Sequence, residues 1–347
     1  MTKPLKVGII GVGTIGQAHL QAFTAHKESK VVAIADINKK ALDASSKKFK
    51  VDKAFTDYQD LLALDEVEAV VVCTPPFVHA KIVCDAASAG KHVLCEKPMA
   101  LNSQEAEKMV EACNKAGVQL GICSARSRLT PPVELAKEYL TEGKIGRIYY
   151  ARITMIRRRG RPGIDILKES KWFLDSSKAG GGALIDIGCY DIDVMLYLLG
   201  DVQPMAVSAI TFTGIGEPVK LETVYDVEEH SSVFVKFKKD LAVTFETSWA
   251  SNLNSYRETI LFGTKAALKL DPFTYYTEED DREITTTINF PREPWGSWEK
   301  LIGDFVSACR KNRKPKTPGE DGLKVMQIIE MAYKSAKLGK EVSLSDL

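Results

Sequence analysis

The sequence predicts a two-domain α/β protein: a parallel, doubly wound sheet in the N-terminal third, then a second domain with a meander of antiparallel strands. At 347 residues the chain exceeds the usual size of one domain. Short apolar runs alternate with helical patterns in the first third. Later runs are rich in β-branched and aromatic residues and are broken by turn signals. We therefore assign residues 1–123 to the first domain and 124–347 to the second.

The first element is a short apolar strand that leads through a glycine turn into a helical pattern, in the segment KVGIIGVGTIGQAHLQAF. In this turn Gly11 permits a tight bend, Gly13 lets the backbone approach a pyrophosphate, and Gly16 allows close packing of helix on strand. The helix is expected from about Thr14, with its N-terminus facing the anion. This predicts a Rossmann dinucleotide-binding fold, with Thr14 and Ile15 beside the glycines as cofactor contacts.

The next run, VVAIAD, ends in Asp36, near the offset of about 20 residues expected for an acid that binds the ribose. A carboxylate there accepts from both ribose hydroxyls and repels a 2′-phosphate, which favours NAD over NADP. Lys39 and Lys40 follow and can pair with a phosphate, so NADP stays the alternative cofactor.

The βα alternation continues with three strands and a helix, in VEAVVVCTPP, FVHAKIVCDAASAG, KHVLCE and VQLGICSA. Ligands of parallel sheets bind beyond the carboxyl ends of the strands, where Thr74, Pro75 and Glu96 fall. We expect these residues to contact the cofactor. His79, one turn into the helix, is either a further cofactor contact or a histidine that packs the helix.

Lys97 follows an apolar strand and precedes Pro98, which favours an extended backbone and prevents a helix from starting there. The next helix is expected near Asn102 or Ser103. Lys97 is thus held at the carboxyl edge of the sheet, beside the expected nicotinamide, and is a candidate both for catalysis and for cofactor binding. The sequence leaves the isomer of the Lys97–Pro98 bond open.

Composition argues against several other classes of protein. A net charge of +1 with interspersed signs gives no reason to expect nucleic acid as a partner. No run approaches the roughly 20 apolar residues of a spanning helix, and the N-terminal run is unlike a signal peptide. The 7 cysteines lack C-x-x-C spacing. They are expected to be reduced thiols of a cytoplasmic protein, without disulfides or a metal site.

The segment GGALIDIGCYDID sets acids and a phenol on an apolar helical pattern. Asp186 and Tyr190 are four residues apart and would share one face of an α-helix. The apolar neighbours predict burial, and a buried acid needs a partner. Tyr190 is alternatively a core residue. Asp191 and Asp193 are weaker site candidates.

These segments together resemble the Gfo/Idh/MocA family, which includes glucose-fructose oxidoreductase and inositol dehydrogenase. The shared segments are GVGTIGQAH, CTPPFVHA, EKPMA, EGKIGRIYYARI, GGGALIDIGCYDID and EDGLKVMQIIEMAYKSAKLGKEVSL. The resemblance implies a nicotinamide cofactor and a sugar or cyclitol substrate. It also implies a C-terminal α/β domain whose large, open, mostly antiparallel sheet often mediates oligomers, here a homodimer or homotetramer.

The family motif usually has a histidine four residues after its aspartate, whereas this chain has Tyr190, as some relatives do. Oxidation of an alcohol needs a base beside the C–H that loses hydride. A free phenol, with a pKa near 10, is a poor base, but a nearby ammonium and a positive nicotinamide lower that pKa. We hypothesise that Lys97 and Tyr190 form a proton relay and that Asp186 orients the substrate or Lys97. Which of the two takes the proton stays open.

Two more residues match positions that the resemblance places near the substrate. Arg128 aligns with an arginine at the start of the second domain, and Trp172 resembles a residue on the pocket-facing loop. Each is either a substrate contact or a structural residue. The cluster from Arg157 to Arg161, with Asp165 and Lys171, offers further candidates for the same rim.

The leading interpretation is a NAD-dependent dehydrogenase acting on a sugar, cyclitol or similar polyol. Some relatives hold NAD tightly and oxidise the substrate transiently during glycoside cleavage, so a redox-neutral glycosidase is an alternative. Other relatives sense dinucleotides as transcriptional regulators, although retention of Lys97, Asp186 and a phenol at position 190 argues against a pure sensor. A metal-dependent alcohol dehydrogenase is disfavoured because 5 histidines and scattered cysteines offer no clustered ligand set.

Overall fold

The computed structural model describes residues 3–215, 224–291 and 297–347. The chain divides into two compact units, one made of residues 1–126 and 297–323, the other of residues 127–296 and 324–347. The domain division at residues 123 and 124 stays a prediction. In the structure, residues 297–323 group with the first unit, a return of the chain that the sequence did not indicate.

The first unit contains a six-stranded, fully parallel sheet within the described residues, in the order β3-β2-β1-β4-β5-β6. The strands are β1 (Leu5–Ile10), β2 (Ser29–Ala35), β3 (Lys53–Phe55), β4 (Ala69–Val72), β5 (His92–Cys95) and β6 (Leu120–Ile122). This order is that of a dinucleotide-binding doubly wound sheet. The predicted Rossmann fold is therefore confirmed.

The α-helices of this part of the chain are α1 (Thr14–Ala25), α2 (Lys39–Phe49), α3 (Tyr58–Leu62), α4 (His79–Ser88), α5 (Ser103–Ala116) and α6 (Ala125–Arg128). The helix expected from about Thr14 starts there, whereas the helix expected to place His79 one turn from its start begins with a 3₁₀ turn, Pro76–Val78, so that His79 is the first residue of α4. The side chain of Asn102 caps α5 by accepting from the Glu105 N–H, and α5 ends at Gly117, whose φ is +66°. Glu105 reaches back to the Leu101 N–H at 3.2 Å. The expected helix start near Ser103 is thus confirmed.

The second unit contains a mixed sheet of nine strands among the residues described, in the order β14-β13-β12-β11-β7-β10-β9-β8-β15. The strands are β7 (Ile148–Ile156), β8 (Pro204–Phe212), β9 (His230–Phe237), β10 (Leu241–Ser248), β11 (Tyr256–Gly263), β12 (Ala267–Leu270), β13 (Phe273–Glu279), β14 (Arg282–Ile288) and β15 (Val342–Ser343). All neighbours are antiparallel except β7 and β10. The expectation of a large, mostly antiparallel sheet is confirmed.

Alternation along these strands buries one face of the sheet. The buried positions include Ala151, Val233, Val243, Leu261 and Leu268. Between residues 131 and 199, all of which the structure describes, the α-helices are α7 (Pro131–Thr141), α8 (Ser176–Ala179) and α9 (Cys189–Leu199). A π-helix, Leu184–Gly188, precedes α9 and lies against β10.

The segment that returns to the first unit carries α10 (Trp298–Lys311), followed by the start of α11 (Gly319–Leu338). Leu301, Ile302 and Phe305 of α10 are buried. Beyond it, the Ile122 N–H donates to the Thr317 carbonyl at 2.9 Å, so this segment bonds to the edge strand β6.

None of the helices described here is long and apolar enough to cross a membrane. All of the cysteines, which lie within the described ranges, are free thiols.

Candidate active site

The glycine turn after β1 leaves the N-terminus of α1 open. A Cβ at Gly16 would overlap the Gly11 carbonyl oxygen, and a Cβ at Gly11, whose φ is +92°, would lie 2.8 Å from the Cys73 carbonyl group. A Cβ at Gly13 would meet no atom within 4 Å. Because the first turn of α1 has no acidic residue and no side-chain cap, its N–H groups suit a bound anion. Thr14 and Ile15 begin this turn, and the residues fit a pyrophosphate.

Asp36 follows β2 with its carboxylate held by two backbone donors. Its Oδ2 accepts from the Val12 N–H at 2.7 Å, and its Oδ1 accepts from the Asn38 N–H at 2.7 Å. Each carboxylate oxygen can accept more than one hydrogen bond, so this arrangement orients Asp36 and keeps acceptor capacity for ribose hydroxyls. Lys39, the nearest following cation, pairs with Asp43 at 3.1 Å on the exposed face of α2.

The corner after β4 contains an orphaned hydroxyl. The Oγ1 atom of Thr74 is buried and has no hydrogen-bond partner among the described residues. A buried hydroxyl without a partner is costly, which suits a position that a ligand completes. Pro75 follows it in an extended conformation. Both residues therefore fit their predicted place beside a cofactor.

His79 is fully buried and joins two loops at the carboxyl edge of the parallel sheet. Its Nε2 lies 2.7 Å from the Thr74 carbonyl oxygen, and its Nδ1 lies 3.1 Å from the Pro98 carbonyl oxygen. Burial lowers the pKa of His79, although both carbonyls favour the protonated ring. These contacts tie the loop after β4 to the loop that carries Lys97. A direct contact of His79 with the cofactor stays a prediction.

Glu96 is a buried carboxylate that anchors the backbone of Lys97. Its Oε2 accepts from the Lys97 N–H at 3.0 Å, and its Oε1 lies 2.9 Å from Nε2 of His19 and 3.3 Å from Nη1 of Arg126. Burial raises the pKa of Glu96, but the positive charge of Arg126 and the hydrogen bond from His19 outweigh it and hold the pKa well below its usual range. Lys97 itself is half-buried, and its bond to Pro98 is cis.

The same cluster contains Cys123, whose Sγ lies 3.8 Å from Nε2 of His19. The ligating atoms of His19, Glu96 and Cys123 all lie within 4.8 Å of one another. Arg126 already supplies the positive charge that a cation would bring to Glu96. We therefore interpret the group as an ion-pair cluster.

In the second unit Asp186 and Tyr190 lie on consecutive helices of different type. Asp186 is in the π-helix and is 7% exposed, whereas Tyr190 is half-buried in the first turn of α9. The prediction of one regular α-helix is wrong at this point, because a π-turn widens the helix and changes the angle between residues four apart. Such turns are frequent at functional sites.

Asp186 has a hydrogen-bond donor that the sequence analysis did not identify. The Trp249 Nε1–H donates to Asp186 Oδ2 at 3.0 Å, and Trp249 is fully buried. The predicted burial of Asp186 and its need for a partner are thus confirmed. A tryptophan directly after a predicted strand was the available signal, but the sequence does not show which acid its indole reaches.

The remaining predicted residues of this unit have protein partners. Arg128 is 2% exposed and binds Asp193 with two hydrogen bonds, at 2.7 and 2.6 Å. Trp172 lies on a short 3₁₀-helix and stacks on Phe173 with ring centroids 3.8 Å apart. Asp191 pairs with Arg257. Substrate contact by Arg128 or Trp172 stays a prediction.

The residues proposed for the rim of the substrate site, from Arg157 to Lys171, contact other parts of the protein. Arg161 binds Asp165 at 2.8 Å and the buried Glu229 at 3.1 Å, while the Lys171 ammonium donates to the Gly163 carbonyl at 2.6 Å. These contacts give the cluster a structural part in shaping the loop from 157 to 171.

Comparison with known proteins places the chain in a family. A model of an oxidoreductase family with an NAD-binding Rossmann fold matches residues 5–123, and the model of the Gfo/Idh/MocA C-terminal domain matches residues 133–269.

Relatives match over nearly the full length. Myo-inositol 2-dehydrogenase of Thermotoga maritima is 26% identical, with 99% of each chain covered. An NADP-dependent D-xylose 1-dehydrogenase of Haloarcula marismortui is 27% identical, with 98% of this chain and 93% of the relative covered. The structure of levoglucosan dehydrogenase with NADH and L-sorbose matches with a TM-score of 0.88 and 26% identity over 100% of both chains. The chain therefore belongs to the Gfo/Idh/MocA family of oxidoreductases, as the sequence resemblance implied.

Proposed function

We propose that the protein is a NAD-dependent dehydrogenase that transfers hydride between a CH–OH carbon of a sugar, cyclitol or related polyol and the cofactor. The observation that carries this proposal is the arrangement after β1, β2 and β5, where an open helix N-terminus, the oriented Asp36 and Lys97 follow strands of one parallel sheet. The relatives named for inositol, xylose and levoglucosan support the substrate class. When bound, the nicotinamide supplies the hydride acceptor or donor.

The residues at the carboxyl edge of the sheet hold the cofactor in this proposal. The glycine turn binds the pyrophosphate, Asp36 binds the ribose, and the loops after β4 and β5 border the nicotinamide. The cofactor residues are Gly11, Gly13, Thr14, Ile15, Gly16, Asp36, Thr74, Pro75, His79, Glu96 and Lys97.

The proposal includes a preference for NAD over NADP. A carboxylate held by two backbone N–H groups cannot easily turn away from a 2′-phosphate, so the repulsion would be retained. The pairing of Lys39 with Asp43 further reduces the positive charge available to that phosphate. Because one relative is named for NADP, the preference of this protein is to be measured with both cofactors.

Lys97, Asp186 and Tyr190 are the proposed catalytic groups. In this proposal Lys97 and Tyr190 form the proton relay: the amine or the phenolate accepts the proton of the reacting hydroxyl as hydride leaves its carbon, and the protonated form returns the proton in the reverse direction. Asp186, an acceptor when ionised, orients the hydroxyl or the ammonium. Trp172 is proposed at the substrate side, by stacking on a sugar face. Arg128 is either a second substrate contact, by hydrogen bonding, or a structural residue, and its buried pair with Asp193 favours the structural role.

The test is nicotinamide reduction followed by absorbance, with NAD and NADP supplied separately against aldoses, inositols and sugar acids. Net NADH formation with one group of polyols is expected. Release of an aglycone from a glycoside without net NADH would instead identify the redox-neutral glycosidase. NAD binding with neither reaction would favour a dinucleotide sensor and would overturn the proposal.

We further propose that the protein forms a homo-oligomer through the second sheet. The strand register places Ile210, Phe212, Phe234 and Tyr276 on the face opposite the buried one, and each is at least 37% exposed. Exposed apolar side chains on one sheet face are typical of an interface. Light scattering is expected to give a dimer or tetramer, and Phe234→Asp is expected to shift it towards monomer. A monomeric wild-type protein would refute this.

The free cysteines also support a reducing compartment, and we propose the cytoplasm. Fractionation of the source cells is expected to place the protein there. Recovery from an oxidising compartment would contradict the proposal.

A further inference from the structure

The carboxylate of Asp186 is held by the indole of Trp249. The Nε1–H of Trp249 lies 3.0 Å from Asp186 Oδ2, and both side chains are buried. An indole N–H can only donate, so its partner must present an acceptor. This contact therefore holds one carboxylate oxygen of Asp186 at the proposed catalytic helix.

The start of that helix is held by one residue. Glu228 accepts from the Gly182 N–H and the Leu184 N–H, each at 2.8 Å, through its two carboxylate oxygens, and its carbonyl oxygen accepts from the Ala183 N–H at 3.0 Å. Three successive donors at the helix start are thus satisfied by Glu228. The Tyr333 hydroxyl donates to the same carboxylate at 2.9 Å.

Close packing fixes this helix start further. A Cβ at residue 182 would overlap the Glu228 backbone, and a Cβ at residue 181 would overlap the Tyr333 ring. The two glycines therefore allow Glu228 and Tyr333 to reach the helix, and a bulkier residue would displace it. The carbonyl of residue 182 accepts the Asp186 N–H at 3.0 Å, so the helix start also positions the backbone of Asp186.

Trp249 belongs to the same scaffold. Its backbone N–H donates to the Glu229 carbonyl at 2.8 Å, directly after Glu228 in the chain. Its ring packs in a buried cluster with Ala183, Ile187 and Val227. The helix backbone and the Asp186 carboxylate are consequently held by neighbouring parts of one buried, hydrogen-bonded assembly.

We infer that Trp249 is a positioning residue for Asp186, an inference that rests on the proposed function. Its indole holds the carboxylate in one orientation before substrate arrives, so that no reorientation is required during hydride transfer. Trp249 does not itself touch the reacting atoms in this inference. Its effect on turnover therefore passes through Asp186 alone.

The test is a double-mutant cycle with Trp249→Phe, Asp186→Asn and the double variant. A hydrogen bond to a charged group contributes about 1.5–3 kcal/mol, so Trp249→Phe is expected to lower kcat about tenfold to a hundredfold. The KM for the polyol is expected to change much less. In the Asp186→Asn background the same Trp249→Phe change is expected to lower kcat by less than about twofold, because coupled residues are non-additive.

Phe273→Leu is the matched control, since Phe273 is a buried aromatic residue of β13 whose ring neighbours are Tyr139 and Phe290. It is expected to lower the unfolding temperature without changing kcat. NAD affinity and thermal unfolding of each variant report its folding, and Trp249→Tyr replaces Trp249→Phe if the latter does not fold. Trp249→Tyr keeps an aromatic ring but moves the donor, so the same loss of kcat is expected.

The outcomes separate this inference from the proposed function. If Asp186→Asn keeps normal turnover, the role proposed for Asp186 fails, and the inference fails with it. If Asp186→Asn loses turnover while Trp249→Phe keeps normal kcat, the inference alone is refuted. An equal loss from Trp249→Phe in both backgrounds would also refute it, because the indole would then act independently of Asp186.

Discussion

Replacing Arg128 by methionine decides between the two roles that the sequence left open for this residue. Arg128 and Asp193 are 2% and 0% exposed and are joined by two hydrogen bonds of 2.6 and 2.7 Å. Breaking a buried ion pair by removing one partner typically costs about 3–5 kcal/mol. In a domain of 150–250 residues this corresponds to a fall in unfolding temperature of roughly 6–20 °C.

The assay combines thermal unfolding with steady-state kinetics on the polyol identified by the substrate panel. Arg128→Met is expected to unfold earlier with little change in KM, and the double variant Arg128→Met, Asp193→Leu is expected to recover most of the loss. Arg152→Met is the control, because the pair of Arg152 with Glu258 is partly exposed and should contribute only about 0–1 kcal/mol. An unchanged unfolding temperature with a raised KM would refute the structural role and assign Arg128 to the substrate.

Three further predictions concern the first unit. Asp36→Ser is expected to lower kcat/KM with NAD about tenfold to a hundredfold and to raise kcat/KM with NADP. The measurement is the ratio of these two kcat/KM values, and an unchanged ratio would contradict the assignment of Asp36 to the ribose. Lys97→Met is expected to lower turnover by a factor of about 10²–10⁴ with NAD affinity largely intact. Lys108→Met is the control, because Lys108 is exposed. Near-normal turnover of Lys97→Met would exclude Lys97 from the proton relay. Because burial lowers the pKa of His79 below 6.5, its contribution to stability is present above that pH and is lost as pH falls through the folded pKa. His79→Gln is therefore expected to flatten this acid-side loss in pH-dependent unfolding, and an unaltered pH dependence would show that His79 does not cause it.

Local patterns were sufficient for the parallel sheet. The glycine turn, the acid after the second strand and the lysine before proline each occupy a strand end, so their place at one sheet edge followed from strand order alone. Residues 297–323 were predicted in the second domain, whereas they group with the first unit. The amphipathic pattern of α10 indicates that one face of this helix is buried, but it does not indicate which sheet covers that face. Its grouping with the first unit depends on contacts distant in sequence, such as the one between β6 and Thr317.

In the candidate site, too, local sequence predicted individual residues but not their distant partners. Lys97 and Asp186 were predicted because their own surroundings in sequence are unusual for charged residues. The distant partners of Glu96, which anchors the Lys97 backbone, and of Asp186 were not predicted: Arg126 lies 30 positions from Glu96, and Trp249 lies 63 positions from Asp186. Nothing in a short segment shows which distant donor a buried acid binds. The π-helix was missed because its apolar pattern over five residues is indistinguishable from that of an α-helix.

The successive acids Glu228 and Glu229 connect the observations on the second unit. Glu228 holds the helix start before Asp186, whereas Glu229 binds Arg161 at 3.1 Å and the Gly214 N–H at 2.8 Å. Both glutamates are buried, and each has several donors, so neither can move without leaving those donors unpaired. A change in the loop around Arg161 is thereby linked through two adjacent backbone positions to the helix that carries Asp186. The loop cluster that the sequence suggested as a substrate rim is therefore connected, through the hydrogen bonds of two adjacent buried glutamates, to the helix that carries Asp186.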